Sequence, residues 1–115
     1  MQYMFLIYSA EHAEPAPGTA EFDELMKGYY AFTEEVRAAG IFREGAPLEK
    51  VETATTVRVR GGSASVVDGP FAETKEVLGG YYILDCKDLD EATAYAAKIP
   101  TAAYGSIEVR PVMDM

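Results

Sequence analysis

The sequence predicts a single α+β domain that spans residues 1–115. Two kinds of segment predict it: short apolar runs with the alternation of β-strands, and two longer stretches whose apolar residues recur every three to four positions, as on one face of a helix. A chain of this length fits one domain, and it contains no linker, internal repeat or low-complexity segment. The predicted order is strand, helix, strand, hairpin, strand, helix, strand.

The first strand is predicted over residues 3–8, where both faces carry apolar side chains. A strand of this kind is covered on both sides and lies inside a sheet. The loop that follows, residues 9–19, is long for a small domain and contains His12, the only histidine. Two interpretations of His12 stay open, a proton shuttle and a solvated loop residue.

The first helix is predicted over residues 20–39, with Thr19 as its N-cap and Gly40 at its end. Its apolar stripe has helical spacing and consists of Phe22, Leu25, Met26, Tyr29, Phe32, Val36 and Ala39. Gly28 inside the helix is destabilising by roughly 1 kcal/mol relative to Ala. Close packing against a strand would explain this glycine, and so would space for a ligand beside Tyr29.

The middle of the chain predicts an edge strand and then a hairpin. Residues 41–48 form the second strand, in which Gly45 and Pro47 indicate a bulge or an edge. Residues 53–60 and 63–67 are predicted to pair around a Gly-Gly turn. The hairpin is therefore an insertion between two strands of the main sheet.

The second half of the chain repeats the order of strand, helix and strand. Residues 81–86 predict another interior strand, preceded by a Gly79-Gly80 pair that we expect to act as a pivot. Asp88 caps the second helix, which Pro100 stops. Residues 106–112 predict the last strand, near an edge because it contains a proline. With the hairpin set aside, the order is the βαββαβ of the ferredoxin-like fold.

The ferredoxin-like arrangement places both helices on one face of an antiparallel sheet. The opposite face of this sheet also carries apolar side chains, so it needs a cover. A second copy packed sheet to sheet would supply one, and we therefore expect a homodimer through the sheet face.

Composition and charge argue against several classes of function. The net charge of −9 argues against nucleic acid or an anionic membrane surface as a partner, since phosphate contacts need a basic face. No apolar run reaches the roughly 18 residues of a transmembrane helix, and no signal peptide is predicted. The single cysteine, Cys86, is interpreted as a buried strand residue and fits a reducing cytoplasm. We expect no cofactor and no metal, because one Cys and one His cannot build a usual zinc site.

The most concentrated chemistry in the sequence surrounds the turn Asp68-Gly69-Pro70, with Glu73 and Lys75 shortly after it. Asp and Gly favour a tight turn and Pro70 fixes its own φ, so the Asp68 carboxylate should stand at a defined point near the two later charges. Two carboxylates beside one ammonium could acquire different pKa values and act as acid and base. The same residues could equally form a structural corner, in which Asp68 caps the turn and Lys75 pairs with Glu73.

A second group of candidate residues is aromatic and basic. The tyrosines of the sheet and the first helix could line a pocket, with Arg43, Arg58 or Arg110 meeting an anionic ligand. Packing in the core and in the dimer contact would account for the same tyrosines, so both interpretations stay open.

The stretch from Asp68 to Tyr81 resembles the signature of the YCII-related family in its DGPF branch, through Asp-Gly-Pro-Phe-Ala-Glu-Thr-Lys-Glu and then Leu-Gly-Gly-Tyr. Three other segments, Met1–Tyr8, Thr53–Arg58 and Ala102–Pro111, resemble the family's opening strand, the segment before its hairpin and its closing strand. The resemblance implies a dimeric α/β barrel. Members of this branch resemble proteins linked with extracytoplasmic-function sigma factors, which implies a regulatory protein partner.

Some YCII relatives resemble enzymes that use a His–Asp pair, with the His on the first helix. Here that helix has no His, and Tyr29 occupies the nearest equivalent position. The Asp that relatives place after the second helix is also absent from Lys98–Thr101. The resemblance therefore carries over no catalytic pair, and whether the chain is an enzyme stays open.

These residues predict a cytoplasmic protein that binds a small polar or anionic molecule in a cleft between the sheet and the hairpin. If acid/base catalysis takes place there, Asp68 is the expected base or orienter and Arg58 the expected anion holder. Tyr29 or Tyr82 is the expected proton donor. Further ligand contacts are expected from Arg43, Glu73, Lys75 and His12.

The alternative function is a non-enzymatic interaction module linked with sigma-factor regulation. The two functions predict different surfaces. A ligand-binding protein should have a concave polar pocket that contains Asp68. An interaction module should have a flat, exposed apolar patch outside the dimer contact.

Overall fold

A four-stranded antiparallel sheet with two helices on one face forms the body of the computed structural model, which describes residues 1–115. The strands are β1 (Gln2–Ser9), β2 (Phe42–Pro47), β3 (Thr55–Arg60), β4 (Ser63–Asp68), β5 (Val77–Asp85) and β6 (Ser106–Pro111), and the helices are α1 (Ala20–Ala38) and α2 (Leu89–Ala96). The sheet order is β2-β5-β1-β6, while β3 and β4 form a separate two-stranded sheet. The α+β class is confirmed, and the strand order is compatible with a ferredoxin-like fold. Neither helix combines the length and the apolar character needed to cross a membrane.

The two interior strands are the two whose sequences are apolar on both faces. β1 lies between β5 and β6, and β5 lies between β1 and β2. The strands predicted near an edge, β2 and β6, are the edge strands, and the register of β2 shifts between Phe42 and Glu44. Because the prolines of β2 and β6 sit on edges, neither one interrupts an interior ladder.

The hydrophobic core lies between the sheet and the two helices. Phe5 of β1, Leu84 of β5 and Val36 of α1 are fully buried there. Phe32 packs its ring edge-on against Tyr82, with 5.2 Å between ring centroids. Burial of each large apolar side chain contributes about 1.5–3 kcal/mol, which makes this layer the main source of stability.

The helix ends follow the predicted caps. The Phe22 N–H donates to Thr19 Oγ1 at 3.2 Å, and the Glu91 N–H donates to Asp88 Oδ1 at 2.8 Å. α2 ends at Ala96, short of the predicted stop at Pro100, and Pro100 begins a 3-10 turn over Pro100–Ala103. A Cβ on Gly28 would lie 3.0 Å from Pro100 Cγ, so Gly28 packs closely against this turn. Packing against a strand, one of the two explanations left open for this glycine, is wrong.

The Gly79-Gly80 pair lies inside β5, so the predicted pivot is wrong. β5 begins at Val77, four residues before the predicted start, and its register with β1 shifts between Ile7 and Tyr8. Gly80 pairs with Ile7 on one side and with Pro47 on the other. A Cβ on Gly80 would lie 3.0 Å from the Ala46 carbonyl oxygen, so the absent side chain lets β2 approach β5. This close approach outweighs the low strand propensity of glycine.

The face of the sheet away from the helices, here called the open face, is apolar and has no covering element. Along β1 and β5 its side chains are half-buried against one another, and they include Met4, Leu6, Tyr8, Tyr81 and Ile83. The expectation of a second apolar face is therefore confirmed.

The hairpin of β3 and β4, here called the arm (Thr55–Asp68), projects from the body. All of its side chains except Thr56 are exposed. The radius of gyration is 16.0 Å, above the value of about 13 Å expected for a compact domain of this length. The molecule measures 48 × 42 × 19 Å, so the arm extends within the plane of a thin slab.

We expect Gly80→Ala to lower the free energy of unfolding by about 1–3 kcal/mol, because the new methyl group must displace the β2 backbone. Gly79→Ala is the matched control, since its Cβ would meet only the Ile7 carbonyl oxygen at 3.8 Å. Urea unfolding of the two variants measures the difference. Equal unfolding free energies would show that β2 does not approach Gly80 this closely.

Candidate functional site

A cleft of about 570 Å³ lies between the end of the sheet and the base of the arm. Three separate segments line it: the loop after β1, the 3-10 turn Val51–Thr53, and the connection between β4 and β5. The lining residues are Ala10, Glu11, His12, Val51, Glu52, Pro70, Ala72, Glu73, Thr74, Lys75 and Val77. The cleft thus brings His12 together with Glu73 and Lys75, which lie more than sixty positions further along the chain.

The charges of the cleft favour a polar or positively charged ligand. Three glutamates against one lysine give its lining a charge of −2 with His12 neutral. A carboxylate or phosphate ligand would meet the glutamates as well as Lys75, which works against binding of an anion. Of the two expected ligand types, polar and anionic, the polar one fits these charges better.

The connection that carries Glu73 and Lys75 is fixed at its far end. Ser106 Oγ at the start of β6 donates to Glu76 Oε1 at 2.7 Å, and Thr74 Oγ1 donates to the Glu76 carbonyl oxygen at 2.5 Å. The bond from Ser106 ties the connection to the end of the sheet where the cleft opens, and the bond from Thr74 closes a local turn within the connection.

Backbone groups, and not the Asp68 side chain, hold the Asp-Gly-Pro turn. The Gly69 N–H donates to the Ala54 carbonyl oxygen at 2.7 Å, and the Gly69 carbonyl oxygen accepts from Thr56 Oγ1 at 2.8 Å. Gly69 has a φ of +100°, in the region that glycine tolerates best. No side-chain hydrogen bond involves the Asp68 carboxylate, so the interpretation in which Asp68 caps the turn is wrong.

Glu73 and Lys75 likewise form no ion pair, although a surface pair between them was the expected structural role. The ion pairs of the chain involve other residues. Both charged groups are exposed in the cleft and are therefore available to a ligand.

The two tyrosines expected to donate protons lie on the helix side of the sheet, away from the cleft. The Tyr29 hydroxyl is 2.6 Å from Thr101 Oγ1, and the Tyr82 hydroxyl is 2.8 Å from Thr33 Oγ1. Burial, which disfavours the charged phenolate, raises the pKa of Tyr29 to about 12 and also raises the pKa of Tyr82. Tyr29 thus joins α1 to the turn before β6, and Tyr82 joins β5 to α1.

The expected arginines are also separate from the cleft. Arg43 Nη2 lies 3.0 Å from Asp85 Oδ2, at the opposite end of β5 from the cleft. Arg58 lies on the arm, where β3 pairs Arg58 with Ser65 and Thr55 with Asp68. Because side chains alternate along a strand, Arg58 and Asp68 project from opposite faces of the arm.

Comparison with known proteins identifies the family. The YCII-related domain model matches residues 1–115. The chain belongs to the YCII-related family. It is 39% identical over 114 residues to an uncharacterized protein of Rhizobium meliloti (strain 1021), and the match covers 97% of this chain and 92% of that protein. The resemblance inferred from the sequence is therefore confirmed for the family.

The cleft of this YCII-related protein includes residues that the sequence did not indicate. Glu11 neighbours His12 in the long loop, and the length of that loop was the available signal. Glu52 belongs to a short 3-10 turn with no periodic pattern, so no signal pointed to it. No group of three or more His, Cys, Asp or Glu side chains comes together where it could hold a metal ion.

The Tyr29–Thr101 bond of this YCII-related protein predicts a pH-dependent stability. Thr101 is 4% exposed, so Tyr29→Phe leaves a buried hydroxyl without its partner. We expect this change to lower the free energy of unfolding at pH 8 by about 1–2 kcal/mol. The exposed neighbour Tyr30, in Tyr30→Phe, is the matched control with no expected change.

The stability at alkaline pH supplies a second measurement on the same variants. Below pH 10 Tyr29 is neutral in both the folded and the unfolded chain. From pH 10 to about 12 the unfolded chain ionises this group first, so the stability it contributes falls as pH rises. Between pH 10 and pH 12, the free energy of unfolding measured in urea should fall less for Tyr29→Phe than for Tyr30→Phe. Equal losses would contradict a buried, neutral Tyr29.

Proposed function

We propose that this YCII-related protein binds a small polar molecule, neutral or positively charged, in the cleft at the base of the arm. The observation that carries the proposal is the convergence of His12, Glu73 and Lys75 from two distant parts of the chain. Their polar groups are exposed and form no ion pair, and the connection that bears Glu73 and Lys75 is anchored to β6 through Glu76. An anchored concavity on which a few charged groups converge suits recognition of a small ligand.

We propose binding at this site without assigning a reaction. Asp68 and Arg58 lie on opposite faces of the arm, while Tyr29 and Tyr82 lie on the helix side of the sheet. This distribution does not support one catalytic centre built from those four residues. Glu73, Lys75 and His12 are instead the proposed ligand contacts.

The proposed assembly is a homodimer in which two open faces pack together as a dimeric α/β barrel. The uncovered apolar side chains of β1 and β5 support it, because each copy would shield the same surface of the other. A cytoplasmic location is proposed with it, since Cys86 is a lone, buried cysteine. The Asp-Gly-Pro-Phe stretch supports membership of the DGPF branch.

The second candidate function is an interaction module with a regulatory protein partner, as the resemblance to sigma-factor-linked proteins suggests. The exposed apolar side chains of the arm favour it, since Val57, Val59 and Val66 are each more than half exposed. The cleft supports ligand binding, although the expectation that the pocket would contain Asp68 is wrong, because Asp68 does not line it. Because the two features occupy different surfaces, experiments can separate them.

A screen of small polar metabolites for thermal stabilisation tests the ligand proposal. A ligand at about 100 times its Kd adds roughly 2.7 kcal/mol, which is several degrees for a domain of this size. We expect this stabilisation to be lost in Glu73→Gln and in Lys75→Met. Lys27→Met, on the exposed surface of α1, removes the same charge away from the cleft and should retain it.

Asp68→Asn separates the turn from the cleft in the same screen. Stabilisation that persists in Asp68→Asn places the ligand in the cleft alone, as we expect, whereas its loss would add Asp68 to the contacts. No hit from the screen, or equal stabilisation of all four variants, would contradict the ligand proposal.

Ile83→Glu tests the sheet-to-sheet dimer, because it places a charge in the middle of the open face. We expect sedimentation velocity to give a dimer for the wild type and a folded monomer for Ile83→Glu. Leu89→Glu, at an exposed apolar position on α2, is the matched control and should remain dimeric. A monomeric wild type, or a dimeric Ile83→Glu, would contradict packing through the open face.

A further inference from the structure

The arm is a two-stranded sheet in which the outer edge of each strand is free. β3 and β4 bond only to each other, and neither joins the four-stranded sheet of the body. All side chains of the arm except Thr56 are exposed, so packing against the body contributes little to its stability. A two-stranded sheet is only marginally stable in water by itself. A third strand would therefore stabilise the arm, and no segment of residues 1–115 supplies one.

The turn of the hairpin determines which backbone groups a third strand could bond. Both residues of the Gly-Gly turn have positive φ, +58° and +80°, as in a two-residue hairpin turn. Such a turn bonds the residues that flank it, Arg60 and Ser63, and bonded and non-bonded pairs then alternate along the ladder. The bond from the Gly69 N–H to the Ala54 carbonyl oxygen, 2.7 Å long, fits this alternation. In the non-bonded pairs, the residues of β3 direct their N–H and C=O groups away from β4.

The outer edge of β3 presents the backbone groups of two valines. In the register Val57 lies opposite Val66 and Val59 lies opposite Ala64, and both are non-bonded pairs. The Val59 carbonyl oxygen accepts from Arg60 Nη1 at 3.0 Å, an exposed side-chain donor that a backbone N–H could replace. The two valines of β3 are 59% and 60% exposed. This edge is therefore open to the addition of an extended segment.

The two faces of β3 differ in chemistry. Because side chains alternate along a strand, Val57 and Val59 project from one face and Arg58 and Arg60 from the other. The β4 residues opposite the two arginines are serines, and neither arginine takes part in an ion pair. Arg58 Nη2 donates only to a backbone group, the Phe71 carbonyl oxygen at 3.4 Å. β3 is thus apolar on one face and basic, without a counter-charge, on the other.

This alternation specifies the strand that would pair best with β3. Side chains directly opposite each other on paired strands lie about 4.5–5.5 Å apart, and apolar or oppositely charged pairs contribute about 0.2–1 kcal/mol each. A strand that alternates apolar and acidic residues would place its acids beside Arg58 and Arg60. Its apolar residues would then lie beside Val57 and Val59. A second copy of β3 in that register would set arginine against arginine, which is destabilising, so the complement is a strand of a different protein.

The outer edge of β4 suits such a strand less well. Its side chains are mostly small or apolar, with no basic residue among them. Its one charged residue is Asp68, which would repel an acidic neighbour. Charge complementarity therefore favours the edge of β3.

We propose that β3 accepts, by strand addition, an extended segment of a partner protein in which apolar and acidic residues alternate. The segment pairs antiparallel, because that ladder is the more stable one per residue. Its apolar side chains continue the face of Val57 and Val59, and its carboxylates meet Arg58 and Arg60. This inference rests on the second candidate function, the interaction module, and specifies the chemistry of its partner.

A reversal of charge on β3 tests the choice of partner. The probe is a fluorescently labelled synthetic peptide that alternates Val and Glu, titrated with the whole protein and followed by fluorescence anisotropy. Arg58→Glu/Arg60→Glu should raise the Kd of this peptide about tenfold or more. The same variant should bind a peptide that alternates Val and Lys, which would show that its arm is still folded. Lys27→Glu, on the exposed surface of α1, is the matched control and should bind the Val-Glu peptide as the wild type does.

Methylation of the peptide backbone tests for strand addition itself. In an antiparallel ladder, a peptide valine opposite Val57 directs its N–H toward β3, while the N–H of each peptide glutamate points away. N-methyl groups on the valines should therefore abolish binding, and N-methyl groups on the glutamates should leave it intact. Equal affinities of the two methylated peptides would overturn strand addition.

The outcomes also separate this inference from the interaction module on which it rests. Equal binding of the methylated peptides, with loss in Arg58→Glu/Arg60→Glu, would overturn strand addition and leave a module whose partner lies on a face of the arm. Unchanged binding in Arg58→Glu/Arg60→Glu would overturn the assigned charge pattern. If the wild type binds neither the Val-Glu nor the Val-Lys peptide, both the strand addition and the use of the arm as an interaction module are contradicted.

Discussion

β1 and β5 pair along their whole lengths in the middle of the sheet, and the remaining strands of the sheet and both helices depend on this pair. β6 bonds to β1 and β2 bonds to β5, so neither edge strand has a place without them. The buried faces of the two strands supply Phe5, Tyr82 and Leu84 to the core, where α1 and α2 cover them. The two helices cover only one face of this pair of strands. The other face, which is part of the open face, stays apolar and uncovered.

The end of the sheet beside the cleft is unusually closely packed along the backbone. Gly80 lets β2 approach β5, and a Cβ on Gly105 would lie 2.2 Å from the Tyr8 carbonyl oxygen at the end of β1. These glycines bring the ends of β1, β5 and β6 together, next to the loop that carries His12. The walls of the cleft therefore adjoin a closely packed end of the sheet, although their charged side chains are exposed.

The sequence predicts this fold well wherever a local pattern has one physical cause. Interior strands followed from apolar residues on both faces, and the helix starts followed from Thr19 and Asp88. Gly79 and Gly80 were misplaced because their role depends on the approach of β2, more than thirty residues away. The candidate residues show the same limit. Glu73 and Lys75 are close in sequence and lie together in the cleft. Tyr82 faces the core because side chains alternate along β5, and Tyr29 faces the turn before β6 from α1, so their distance from the cleft depends on the packing of the whole domain.

The connection between β4 and β5 belongs to both the arm and the cleft, because residues 70–77 leave the arm and line the cavity before they enter the sheet. Any contact that fixes the position of the arm therefore also fixes one wall of the cleft. For a partner of the arm and a ligand of the cleft, thermodynamic linkage requires that each change the affinity of the other by the same factor. A shift of the arm is thus a shift of the cleft wall, whichever of the two surfaces is contacted first.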